Sequence, residues 1–131
     1  MKQKSVPQLK KVADKIVSEY IRRRDNGICF TCGNKKEWKY QQCGHYVSRI
    51  YLNLRYYEKN LNCQCYSCNV MRHGNMDEYA IRLQQKYGAD ILEELNKWKY
   101  IPVSTNTRKD LLDVIEKYKE LLKKLSPKVF E

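Results

Sequence analysis

Two short cysteine pairs constrain this chain more than any other feature. Cys29-Phe30-Thr31-Cys32 is followed at once by Gly33, and Cys65-Tyr66-Ser67-Cys68 by Asn69, with residues 33 to 64 between the pairs. A CxxC turn points both sulfurs at one ion, and glycine accommodates the tight bend after the first pair. Four thiolates in tetrahedral array suit zinc, which brings no redox chemistry. Cys29, Cys32, Cys65 and Cys68 are therefore expected to hold one structural zinc. A redox role for either pair is disfavoured, because the sequence lacks the βαβ pattern of a thioredoxin. Cys43 and Cys63 read as buried free thiols, although spacing alone leaves a mixed site using one of them open.

The 131 residues are expected to form one domain. Lysine and arginine number 26 against 15 acidic residues, a formal charge of +11, with eleven tyrosines interleaved. That combination points to a nucleic acid as partner. No apolar run is long enough to span a membrane, and Met1 to Lys11 lacks the apolar stretch of an export signal. A cytoplasmic protein is expected, which also favours thiolates bound to metal over disulfides.

Helical periodicity follows Pro7 through Leu9, Val12, Ile16, Val17, Tyr20 and Ile21, until Asn26-Gly27 breaks it. Lys10, Lys11 and Lys15 occupy the other face, and Arg22, Arg23 and Arg24 the end, where cations suit the helix dipole. Lys10, Lys15 and the three arginines are candidate phosphate contacts. Residues 28 to 68 read as two short strands with loops. Helices are expected over Met76 to Tyr87, ended by Gly88, and over Ala89 to Lys99. Pro102 and the polar stretch from Ser104 form a linker, and Thr107 with Asp110 a capping box. The last helix carries an apolar stripe from Leu111 to Leu125, read as core or dimer seam.

Between the cysteine pairs stand Gly44-His45-Tyr46, Leu54-Arg55-Tyr56 and Asn60-Leu61, and after them Cys68-Asn69 and Gly74-Asn75. In this order the elements resemble the HNH, or His-Me finger, nucleases, and more closely the NinG (Rap) family of lambdoid phage recombination proteins. They are also similar to phage endonuclease VII, which has an asparagine directly after its last zinc cysteine. The resemblance covers about residues 15 to 95. It implies a mostly helical α+β fold: a zinc-stabilised ββα-metal unit over residues 27–75, a basic amino-terminal helix over 1–26, and carboxy-terminal helices over 76–131 that serve as a dimer or DNA-binding element.

The same resemblance implies a structure-selective endonuclease that hydrolyses phosphodiesters in branched DNA such as Holliday junctions, working in the bacterial host's cytoplasm, with magnesium or manganese. Cutting both opposed strands of a junction is easiest for a homodimer, and the first and last helices offer apolar faces for that pairing. His45 takes the place of the general base, Asn69 that of a ligand to the catalytic ion, and Asn60 that of the residue pinning the loop behind the histidine. Arg49 and Arg55 would support the phosphate. Where HNH proteins commonly carry a metal-binding aspartate, this chain has Gly44, so a second ligand must come from elsewhere. His73, four residues past Asn69 on an expected helix, ranks ahead of Asn75. The alternative is a non-catalytic, zinc-stabilised DNA-binding accessory protein of recombination.

Overall fold

The computed structural model describes residues 3–101 and 107–125. Helix α1, Val6–Arg24, starts on a capping box in which the Ser5 hydroxyl accepts from the Gln8 amide and the Gln8 side chain accepts from the Ser5 amide. A two-stranded antiparallel sheet follows, β1 (Gln42–His45) against β2 (Leu61–Gln64), with Cys43 opposite Cys63 and His45 opposite Leu61. A short helix α2, Leu52–Arg55, lies in the connection between the strands. Helices α3 (Met76–Tyr87), α4 (Ile91–Lys99) and α5 (Arg108–Leu125) complete the order. The chain is thus mostly helical with one small sheet, and no described helix is long and apolar enough to cross a membrane.

Local chemistry sets these boundaries. Gly88, at φ 103°, stops α3 where expected, and Thr107 and Asp110 exchange backbone-to-side-chain bonds at the start of α5. The expected linker at Pro102 and Ser104 lies outside the described residues.

The apolar stripes of the first and last helices face each other. Leu9 and Ala13 of α1 pack with Leu111 and Ile115 of α5, while Val17, Tyr20 and Ile21 close around Tyr118 and Leu61 of β2. The Tyr118 hydroxyl donates to the Tyr56 carbonyl at 2.6 Å, tying α5 to the inter-strand connection. The stripe read as core or dimer seam is thus core, filled within one chain. A second cluster, Leu54, Tyr79, Leu83, Ile91 and Leu95, seats α2 on α3 and α4. The first core reaches the sheet through Leu61 of β2, and Tyr79 of the second reaches it through a bond to the Gly44 carbonyl of β1.

Asn60 locks the connection after His45. Its side chain, fully buried, accepts from the Val47 amide at 2.8 Å and donates to the carbonyls of Val47 at 3.0 Å and Leu54 at 3.1 Å. Asn60→Ala would strand three backbone groups, so it should cost on the order of 3 kcal/mol in urea unfolding. A loss under about 1 kcal/mol would show that these bonds hold little.

Candidate functional site

The four expected cysteines meet. The ligand atoms of Cys29, Cys32, Cys65 and Cys68 all lie within 4.8 Å of one another, with Cys32 Sγ 3.7 Å from Cys65 Sγ. A tetrahedral zinc with Zn–S bonds of about 2.3 Å would set sulfurs about 3.8 Å apart, so this donor set fits a structural metal such as zinc. Around it, the Asn34 amide points at Cys32 Sγ, the Cys68 amide at Cys65 Sγ and the Asn75 side-chain amide at Cys68 Sγ. Burial pushes the Cys32 thiol up to about 12 and raises Cys65 as well, whereas at Cys29 burial is outweighed by hydrogen bonds from Thr31 and nearby backbone, which bring it down to about 6. Only a bound cation lets all four sulfurs carry charge together. Cys43 and Cys63 stand outside this group, and burial pushes both thiols up to about 12.

His45 ends β1 at a cleft of about 620 Å³ that it shares with Arg49, Asn69 and His73. Its Nε2–H donates to the Arg55 carbonyl at 3.1 Å, since a carbonyl can only accept. That bond leaves Nδ1 as the unprotonated nitrogen of the neutral ring. Burial lowers the His45 pKa from its ordinary value. The Arg55 carbonyl bond raises it, and the charges of Arg49 and Arg55 lower it further. The imidazole is thereby held neutral at pH 7. Backbone on both sides is fixed: the buried Tyr79 hydroxyl donates to the Gly44 carbonyl at 2.9 Å, and Asn60 holds Val47.

Gly44 has a steric cause. A Cβ there would overlap Oε1 of the fully buried Gln64, so an aspartate beside His45 would require the Gln64 side chain to move. His73 lines the same cleft, but not by the helical spacing expected. Asn69 sits in a five-residue π-helical segment, Ser67–Met71, and His73, Gly74 and Asn75 then turn through left-handed backbone at φ 51°, 94° and 49°. The turn sends the Asn75 side chain to Cys68 Sγ, and the Asn69 side-chain amide donates to Gln42 Oε1 at 2.7 Å. No free carboxylate lines the cleft among the described residues.

Three of the expected phosphate contacts are engaged internally, Arg23 with Glu19 at 3.0 Å among them. Arg24 bonds Asp25, the Leu61 carbonyl and Asn62, which stitches α1 to β2. Arg55 pairs with both oxygens of Asp14, at 3.0 and 2.6 Å. Each guanidinium has been claimed by a carboxylate that charge counting does not reveal. Arg49, exposed, has no partner among the described residues and borders the cleft. Lys10 and Lys15 also lack ion-pair partners among the described residues, with Lys15 exposed and Lys10 half-buried.

The model of the bacteriophage lambda NinG protein family matches residues 1–128. The chain belongs to the NinG family. It is 32% identical to protein ninG of Escherichia phage lambda over 89 residues, covering 65% of this chain and 42% of that protein. Protein ninG of Escherichia phage 933W and of Salmonella phage P22 are also 32% identical over 89 residues, covering 43% and 42% of their lengths. This NinG chain thus aligns with less than half of each of those relatives, and no solved structure matches it.

Sequence reading missed Asp14 in this NinG protein. From α1 its carboxylate clamps the Arg55 guanidinium and accepts from the Tyr56 hydroxyl at 3.0 Å, which fixes the carbonyl that orients His45. It also lines a second pocket, about 180 Å³, with His45, Arg49 and Arg55. Its charge acts to raise the His45 pKa against the arginines. Asp14→Asn should therefore move the His45 NMR titration to lower pH, and an upward shift would contradict that sign. The only sequence signal was an acid among lysines on a helical face.

Proposed function

We propose that this chain is a metal-dependent DNA endonuclease of the His-Me finger type, acting on branched DNA such as four-way junctions in phage recombination. The observation that carries the reading is His45: a half-buried imidazole whose Nε2–H is fixed by a backbone carbonyl and whose Nδ1 has no partner among the described residues, in a cleft with Arg49, Asn69 and His73. Membership of the NinG family and the order of the Gly-His-Tyr, Asn-Leu and Cys-Asn elements add support from resemblance.

In this mechanism neutral His45 accepts a proton from water at Nδ1, and the water attacks phosphorus in line with the departing 3′ oxygen. Arg49 faces the non-bridging oxygens, where negative charge grows. Asn60 and Tyr79 hold the backbone around His45 still, so the imidazole does not have to be oriented during the reaction. Asn69 and His73 are the side chains that would hold magnesium or manganese, together with substrate phosphate oxygens and water. Bound there, such an ion would supply charge stabilisation at the leaving oxygen. The departing 3′ oxygen takes its proton from solvent water, so the products are a 5′ phosphate and a 3′ hydroxyl. Symmetric cutting of a junction calls for two active sites, and with the α1 and α5 stripes buried against each other, a homodimer would have to pair through other faces.

One observation favours a second reading. The cleft offers a hard cation only neutral protein donors, as expected of a zinc-stabilised DNA-binding accessory protein that does not cut. Incubating labelled four-way junction with the protein and with His45→Ala, with and without magnesium or manganese, separates the two. Tight binding without cutting under all conditions would select the accessory role.

A further inference from the structure

A second basic groove, about 660 Å³, lies apart from the His45 cleft and is bordered by Arg23, Lys35, Lys36, Glu37 and Trp38. The Trp38 ring carries two guanidinium groups, Arg22 at 5.0 Å and Arg23 at 5.5 Å from its centroid. Each arginine is tethered by one bond to its own helix, Arg22 Nε to the Ser18 carbonyl at 3.1 Å and Arg23 Nη1 to Glu19 at 3.0 Å. Their remaining N–H groups have no partner among the described residues, and neither do the ammonium groups of Lys35 and Lys36. Glu19 pairs with Arg23, whereas Arg22 has no carboxylate partner among the described residues and leaves its charge open to an anion. Two residues on, the Tyr40 ring is 64% exposed, with Lys39 Nζ 5.6 Å from its centroid.

The groove is built, not incidental. Trp38 to Tyr40 forms a single 3-10 turn, and the buried Gln41 that follows donates to the carbonyls of Gly27 at 2.8 Å and Asn34 at 3.2 Å, which anchors the turn to the first cysteine knuckle. From Tyr40 the chain enters β1 and reaches His45 five residues later. The platform and the cleft are thus at most about 18 Å apart along the chain. An open groove with free cations and an exposed ring beside them suits a strand of nucleic acid better than a compact anion.

We infer that Trp38, with Arg22 and Arg23 seated on it, Lys35, Lys36 and the Tyr40 ring form a second DNA subsite that grips a single-stranded segment flanking the branch point. Phosphates lie across the guanidinium pair and the lysines, and an unpaired base stacks on Tyr40. This rests on DNA being the partner and is independent of whether His45 cuts.

The test is equilibrium binding of a labelled single-stranded oligonucleotide and of a fully paired duplex, without divalent ions, in a Trp98→Phe background that leaves Trp38 as the reporter. Oligonucleotide binding should quench Trp38 fluorescence. Tyr40→Ala should weaken single-strand binding about tenfold and duplex binding far less. Lys35→Ala with Lys36→Ala should flatten the salt slope for the single strand by roughly 1.4, about 0.7 for each phosphate contact. Unchanged Trp38 emission at saturation, or a salt slope unmoved by the lysine pair, overturns the subsite even if the protein cuts junctions. Absence of any DNA binding by the unmutated protein overturns both this subsite and the DNA reading itself, whereas binding without cutting counts only against catalysis.

Discussion

His45→Ala should slow junction cleavage by about 10²- to 10⁴-fold, the range a positioned general base contributes, while junction affinity changes little. The imidazole is half-buried and its Nε2 bond goes to a backbone carbonyl, so its removal takes away a proton acceptor without cutting a phosphate contact. The pH profile carries the sign. Burial holds the His45 pKa below its ordinary value, so the reactive neutral form dominates at pH 7. The rate should climb with pH through a midpoint below about 6.5 and then level off. His45→Ala should lose that acid limb along with the rate. Cleavage that survives the substitution with its pH profile intact would remove this mechanism, and circular dichroism of the variant would separate lost chemistry from lost fold.

Much of the frame was legible because it is written in local chemistry. Caps at Gly88 and at Thr107 with Asp110, and the break at Asn26-Gly27, name helix ends without reference to anything distant. The cysteine pairs name their partners because four sulfurs at that spacing could hold one metal ion. What stayed hidden depends on which surface meets which. An apolar stripe on α5 says that something covers it, and that something proved to be α1 of the same chain. A basic side chain says nothing of its counter-ion, so Arg24 and Arg55 read as phosphate contacts until Asp25 and Asp14 were found beside them. His73 reached the cleft by a left-handed turn that no periodicity describes, and Gly44 was dictated by Gln64, twenty residues away and on the other strand.

Removing the metal should have the largest effect on the fold. Cys29, Cys65 and Cys68 form a buried cluster made only of one another, so no apolar core replaces the ion once it leaves. Structural zinc contributes on the order of 10 to 16 kcal/mol of apparent binding free energy in small domains, comparable to the whole stability of about 5 to 15 kcal/mol usual for a protein. Cys65→Ser, or a strong chelator, should therefore unfold the sheet and the segments around it, since the two knuckles bracket everything from Gly33 to Gln64. Helices α1 and α5 should keep part of their helicity, because Leu9, Ala13, Leu111 and Ile115 pack together without help from the knuckles. The expected pattern is near-complete loss of near-ultraviolet circular dichroism with partial loss in the far-ultraviolet, and about one zinc per chain in the untreated protein. A metal-free protein that melts at the same temperature, or one that holds less than about half a zinc per chain when purified, would refute the clamp. His45 and Asn69 line one cleft from segments that this clamp joins, so Cys65→Ser should abolish cutting together with the fold. His45→Ala should slow cutting while leaving the fold intact.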